Sequence, residues 1–204
     1  MISVVSGPSH AEEVAQSMLT YLTVASTNKT QAERVRNMLD CHFIHTCYNN
    51  DVLGLECAAV MKNIYAIALG VSTSLGYGDN LQAVLITSAM KELGALLEVT
   101  DSRTPCRNLA SFTYLADMLA TCYSKHSRNR TFGELLGRGY DPQQIRLMQK
   151  MVAEGYYAVK AVFELSHTMK IEMPIVRSLY NVIYKEAGVN REFHHLLNNL
   201  INNI

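Results

Sequence analysis

The stretch DVLGLECAAVMKNIYAIALGVSTSLGYGDN, Asp51 to Asn80, decides the fold. From Val52 to Val71 nearly every side of a helical wheel is apolar or small, the pattern of a helix buried all round rather than one lying on a surface. Only Glu56 and Lys62 are charged there. Taking an ammonium out of water is expensive, so a lysine among Ala58, Ala59, Tyr65, Ala66 and Leu69 needs a reason. Either its stem lies along apolar surface while the ammonium reaches water, Glu56 or another carboxylate. Or burial disfavours the charged form and suits the amine to act as a general base. Asn63 adds a second polar group beside it. The helix is expected to end near Gly70, where a glycine-punctuated run to Asn80 lets backbone approach a ligand closely.

Upstream the pattern is different. Ile2 to Val5, Tyr21 to Ala25 and Phe43 to Tyr48 read as short strands. Between the first two, Ser6-Gly7-Pro8 turns the chain and Ser9 with Glu12 offers a capping box for a helix. A strand, a tight turn and a helix N-terminus in succession can present amides to an anion, or simply connect two elements. A helix over 31–39, capped by Thr30 and Glu33, completes a β-α-β-α-β order in residues 1–50. Three short strands make an edge or fragment of a doubly wound sheet, not a whole one.

Downstream, helices are predicted over 51–70, 80–97, 114–122, 130–136, 142–152, 155–169 and 174–187, with a last one after 190. Asp141 caps the fifth of these and Pro142 takes its first position. Residues 51–204 are therefore an all-α domain and the chain as a whole is mainly α. A polar cluster, Thr121 to Arg130, includes Ser127-Arg128-Asn129, with Asp117 one helical turn before Thr121. An arginine fork beside a helix N-terminus can grip a phosphate; the alternative is a solvated basic loop.

Composition narrows the classes. The 204 residues carry 18 basic and 18 acidic side chains, a formal net charge of +0 that argues against a protein built to coat nucleic acid or an anionic membrane. The apolar stretch around Lys62 is interrupted by charge, so no membrane span and a cytoplasmic setting are expected. Cys41, Cys47, Cys57, Cys106 and Cys122 include no C-x-x-C pair and leave an odd thiol, which suggests reduced structural cysteines. His42, His45, His194 and His195 lack companions at ligand spacing, so no metal is expected.

Several stretches taken together resemble the carboxy-terminal part of NAD(P)-dependent sn-glycerol-3-phosphate dehydrogenases of the bacterial type. They are Ser6-Gly-Pro-Ser-His-Ala-Glu-Glu-Val-Ala15, Asn50-Asp-Val-Leu-Gly-Leu-Glu56, Lys62-Asn-Ile-Tyr-Ala-Ile-Ala68, Gly76-Tyr-Gly-Asp-Asn80, Ser127-Arg-Asn-Arg130 with Phe132-Gly133, and Val152-Ala-Glu-Gly155, in family order. The resemblance implies a helical domain like the C-terminal domain of 6-phosphogluconate dehydrogenase, preceded by a remnant of a Rossmann domain. It makes Lys62 the proton acceptor, with Asn63 and Asp117 orienting it. Gly7, Ser9, Lys62, Asp117, Thr121, Ser127, Arg128 and Asn129 become substrate-binding, for glycerol 3-phosphate or dihydroxyacetone phosphate. Ala11, Arg128, Val152 and Glu154 become contacts to NAD or NADP.

The chain departs from the family at Tyr114-Leu-Ala-Asp-Met118, where a glycine-rich run is usual, and at Ala59 and Ser88. Nothing before Ser6 supplies a G-x-G-x-x-G turn, so the isolated chain is expected to be inactive and to self-associate as a homodimer. The rival readings are a non-enzymatic helical or dimerisation module and a related hydroxy-acid reductase domain.

Overall fold

The computed structural model describes residues 2–101, 107–149 and 151–202. Three strands, β1 (Val4–Ser6), β2 (Thr20–Ala25) and β3 (Ile44–Asn49), form one sheet in that order, β1 antiparallel and β3 parallel to β2. Helices α1 (Ala11–Ala15) and α2 (Lys29–Leu39) complete the expected β-α-β-α-β order. Two caps differ from expectation. Asn28, not Thr30, caps α2 by accepting from the Gln31 amide, which starts the helix two residues earlier than predicted. The capping box at α1 does not form: His10 occupies the cap position and the Ser9 hydroxyl donates to the Gly7 carbonyl instead.

The rest is helical: α3 (Val52–Ser74), α4 (Asp79–Thr100), a π-helical turn (Phe112–Ala116) running into α5 (Asp117–Tyr123), α6 (Arg128–Gly137), α7 (Pro142–Met148), α8 (Glu154–Met169), α9 (Pro174–Tyr184) and α10 (Val189–Asn202). Helix α3 is the centre, touching α4, α5, α6, α8 and α9. Its length and hydropathy would suffice to cross a membrane, yet Met61, Ile64, Tyr65, Ile67 and Leu69 are fully buried against other helices. At about 1.5–3 kcal/mol for each large apolar side chain so buried, these residues make a sizeable contribution to the core.

Gly70 does not end α3. The helix runs one turn further because Gly70 and Gly133 let the backbones of α3 and α6 meet: a Cβ on Gly70 would lie 2.1 Å from the Arg130 carbonyl oxygen, and one on Gly133 2.0 Å from that of Ile67. At Gly70 the close backbone approach is to another helix, whereas a Cβ on Gly76 or Gly78 would meet nothing within 4 Å. Helix α7 is shorter than predicted, but its start is as read: Asp141 accepts from the Gln143 and Gln144 amides ahead of Pro142. Cys41, Cys47, Cys57 and Cys122 are free thiols, while Cys106 lies outside the described residues.

Two buried polar clusters hold the helices in register. Asp51 caps α3 through the Gly54 amide and binds the Arg107 guanidinium, with Nε 2.5 Å from Oδ2, while Tyr114 donates to the same oxygen. Burial pushes the Asp51 carboxyl up, but the hydrogen bonds from Arg107, Tyr114 and Gly54 outweigh it and hold it below the usual carboxylate range. The second cluster centres on Glu92 of α4, which accepts from the Ile175 amide at 2.6 Å and from the Tyr65 hydroxyl at 3.2 Å. It caps α9 from outside, since Met173 at the cap position offers no side-chain acceptor.

Burial pushes the Glu92 carboxyl up to about 8, against the opposing pull of the Ile175 amide and the Tyr65 hydroxyl. Between 4.5, its ordinary value, and about 8, the folded chain keeps a proton that the unfolded chain has released, so this group makes stability fall as pH rises through that window. The slope approaches about 1.4 kcal/mol per pH unit. Glu92→Gln keeps the acceptor for Ile175 but has no proton to release. Urea midpoints measured at several pH values across that window are expected to fall less in the variant; parallel curves would show that Glu92 does not titrate there.

Candidate functional site

Lys62 lies on the face of α3 that meets α5, and Asp117 is the first residue of α5. The lysine Nζ donates to both carboxylate oxygens, each at 2.8 Å. The Lys62 side chain keeps 20% of its exposure and that of Asp117 only 5%, so the pair is sheltered but open on the lysine side. Of the carboxylates weighed from sequence, the partner is therefore not Glu56 but one supplied from another helix. A solvent-accessible amine held by a fixed carboxylate can exchange a proton with a ligand placed against it.

Asp117 is reached through the π-helical turn Phe112–Ala116. A π-turn inserts a residue into the helical register and redirects the helix beyond it. Here it is pinned on both sides: the Tyr114 hydroxyl donates to Asp51, and Thr113 Oγ1 lies 3.2 Å from Thr23 Oγ1 of β2. Thr121 stands one turn after Asp117 on α5 and is also buried.

Beside this pair, α6 begins. Ser127 is its N-cap, accepting from the Arg130 amide at 3.3 Å. Asn129 is buried and ties three helices together: its Nδ2 donates to Asn63 Oδ1 at 2.9 Å and its Oδ1 accepts from the Gly155 amide at 2.9 Å. Asn63 in turn donates to Glu154 at 3.2 Å. Asn63, Asn129 and Glu154, from three distant stretches, are thus joined by hydrogen bonds.

The two arginines differ. Arg130 is committed to structure, donating to the Cys122 carbonyl, Glu134 and Thr73. Arg128 is exposed, with Nη1 3.0 Å from the Met151 sulfur, and keeps other donors toward solvent. A cavity of about 230 Å³ lined by residues including Gln149, Met151, Val152 and Tyr157 adjoins it. Sequence reasoning omitted Gln149 and Met151, whose contacts to Arg128 come from a loop with no periodic signal.

The β1 turn closes the other side. Gly7 has φ +147, and a Cβ there would lie 2.6 Å from the Tyr21 carbonyl oxygen, so glycine is required. Ser9 and Ala11 are exposed beside it. His10 Nε2 lies 3.2 Å from the Ala120 carbonyl oxygen and its ring 6.3 Å from that of His126, which joins this turn to α5 and the loop before α6. Ala11, Arg128, Val152 and Glu154 all face solvent. A larger cleft of about 480 Å³, lined by Ser88, Lys91, Glu92 and Pro174 among others, shares none of these residues.

A small α/β unit set against a helical domain, with a paired lysine near their junction, is an arrangement found in dinucleotide-dependent dehydrogenases. The chain belongs to the NAD-dependent glycerol-3-phosphate dehydrogenase family: the model of the family's C-terminus matches residues 51–194, and that of its N-terminus matches residues 1–32.

A relative from Syntrophomonas wolfei, described as an NAD(P)+-type glycerol-3-phosphate dehydrogenase, is 37% identical over 195 residues, covering 96% of this chain and 56% of the relative. The crystal structure of a glycerol-3-phosphate dehydrogenase from Coxiella burnetii superposes with a TM-score of 0.90 at 32% identity, over 96% of this chain and 59% of that one. The Saccharomyces cerevisiae enzyme, at 21% identity and a TM-score of 0.82 over 94% of this chain and 58% of that one, shares the fold. The chain thus spans less than three fifths of the length of these relatives.

Proposed function

We propose that this chain is the substrate-binding and proton-transferring part of a glycerol-3-phosphate dehydrogenase. In this reading residues 1–50 belong to the dinucleotide-binding domain and residues 51–204 form the substrate domain. The observation that carries it is the Lys62–Asp117 pair, open to solvent on the lysine side and tied to the Ser127-Arg128-Asn129 stretch by the bond from Asn129 to Asn63, the neighbour of Lys62.

Glycerol 3-phosphate would lie with its 2-hydroxyl on Lys62 Nζ, whose neutral amine takes the hydroxyl proton and becomes the ammonium, while Asp117 holds it in place. NAD or NADP, when bound, supplies the acceptor for the hydride leaving C2. Arg128 and Ser127 would hold the phosphate, and Gly7, Ser9 and Thr121 would bound the pocket. Asn129, whose amide is committed to Asn63 and Gly155, would act by fixing the start of α6. Ala11, Arg128, Val152 and Glu154 fit one wall of a nucleotide site: they are exposed, with an arginine and an apolar side chain among them. The phosphate end binds far from the reacting carbon and so positions it.

The enzyme would work in the cytoplasm as a homodimer. Exposed Leu147 and Met148 on α7, 88% and 58% accessible, favour a covering partner there.

Arg128→Ala tests the phosphate grip. A charge-assisted contact is worth roughly 1.5–3 kcal/mol, so affinity for glycerol 3-phosphate is expected to fall by about one to two decades, with little change for glycerol. Calorimetric titration measures both. Equal losses for the two ligands would assign Arg128 a structural role and remove the phosphate reading.

A further inference from the structure

Asp117 has a second hydrogen-bond partner besides Lys62, from the sheet side of the fold. The Ser6 hydroxyl donates to Asp117 Oδ2 at 3.0 Å, across 111 residues of sequence. Lys62 Nζ donates to Oδ1 and Oδ2, so Oδ2 receives two donors and Oδ1 one. From these contacts we propose that Ser6 is a positioning residue for Lys62, acting through the Asp117 carboxylate; the proposal rests on the reading of Lys62 as the proton acceptor.

The terminal torsion of an aspartate is soft, with a broad and roughly two-fold profile. Lysine donors alone do not fix it, because a flexible four-carbon stem moves with the carboxylate as it turns. A hydroxyl anchored elsewhere does fix it, and Ser6 is anchored twice. It pairs with Thr23 in the β1–β2 register, and the next residue is Gly7, whose turn lies against the Tyr21 backbone. The carboxylate also cannot exchange Ser6 for bulk water easily, since Asp117 is only 4% exposed. With Ser6 in place both oxygens face the amine, which holds Nζ at one point rather than on an arc.

The sheet unit and the helical domain therefore build the proton-transfer group jointly. Among the described residues, Ser6, His10 and Thr23 make side-chain contacts from the sheet side to α5 or the turn before it, and of these the one from Ser6 goes to the lysine's partner. A ligand drawn against Gly7 and Ser9 would be sensed at Lys62 through one hydroxyl and one carboxylate.

The test uses this chain with its lysines labelled with carbon-13, comparing Ser6→Ala and Ser6→Thr with the parent by NMR. In the parent, the two ε-protons of Lys62 are expected to give separate signals, because the amine is held in one place. In Ser6→Ala they should merge, with side-chain order falling to that of an exposed lysine such as Lys160, while Lys160 itself and the melting temperature change little. Ser6→Thr, which keeps the hydroxyl and suits a strand, should restore the separation. Unchanged Lys62 signals in Ser6→Ala would overturn the proposal, as would equal loosening of Lys160. Addition of glycerol 3-phosphate to the parent keeps the two ideas apart. A shift of the Lys62 signals supports the substrate reading; no response at tens of millimolar overturns that reading while the Ser6 comparison still decides the positioning role.

Discussion

Lys62→Met, in this chain joined to the dinucleotide-binding portion of a relative, is expected to lower turnover at saturating substrate by at least a hundred- to ten-thousandfold, the range a positioned acid or base contributes. Methionine matches the length of the stem and suits a helix, so apolar packing along α3 is nearly kept. What is lost is the amino group, and with it the partner of Asp117. Stranding a buried charge costs about 3–5 kcal/mol when nothing else can reach it. Here the cost should be smaller, because 20% exposure of the lysine side chain leaves a path for water and Ser6 still donates to the carboxylate. Combining Lys62→Met with Asp117→Asn removes the stranded charge. The double variant should regain most of the lost stability and none of the turnover. Near-normal turnover in Lys62→Met would show that proton transfer is made elsewhere.

How much of this was legible in the sequence depends on the range of the interaction. The buried character of α3 comes from its own residues, and so does the start of α7 at Asp141-Pro142, because cap and helix are neighbours in sequence. The β-α-β-α-β order was likewise readable from local alternation and turn residues. The failures involve partners that are distant or locally equivalent. Thr30 and Asn28 are both acceptable caps by residue type, and the fold uses Asn28. Gly70 reads locally as a break; its partner in a helix crossing, Gly133, lies 63 positions later and carries no signal of the pairing. The π-turn before Asp117 has no sequence pattern of its own and is imposed by Tyr114 reaching Asp51 and Thr113 meeting Thr23.

The site divides in the same way. Lys62 stood out because a lysine is conspicuous in an apolar helix, whereas the choice of Asp117 over Glu56 as its partner rested on resemblance. The bonds from Asn129 to Asn63 and Gly155 bring three separate stretches together. Polar residues in each stretch are compatible with many arrangements, and only packing of α3, α6 and α8 picks one. Ser6 was visible as part of a turn motif, but its role emerges only when the sheet is docked on α5.

Two glycine-to-alanine changes in helices should have opposite signs. Alanine is a better helix former than glycine by about 0.8–1.0 kcal/mol, so each change starts with a gain. For Gly94 in α4, the added methyl meets only the end of the Leu109 side chain, Cδ1 at 3.0 Å, and a small rotation relieves the contact. Gly94→Ala is therefore expected to be neutral or to stabilise by up to about 1 kcal/mol. For Gly133 in α6 the methyl meets backbone, with the Ile67 carbonyl oxygen at 2.0 Å and its carbon at 2.8 Å, and no rotation can relieve that. Helices α3 and α6 must separate by more than an ångström, which opens the core around Ile67 and Phe132, both fully buried. Overpacking typically costs about 1–3 kcal/mol and occasionally more; a backbone clash across the most central crossing belongs at the top of that range. After the helix-propensity gain, Gly133→Ala should still lose at least about 2 kcal/mol. The separation also pulls Asn129, one turn earlier on α6, away from Asn63, so ligand binding at Arg128 should weaken along with stability. Urea unfolding of the two variants and the parent, read by circular dichroism, measures the difference; equal midpoints for Gly133→Ala and the parent would mean that α3 and α6 do not cross backbone to backbone.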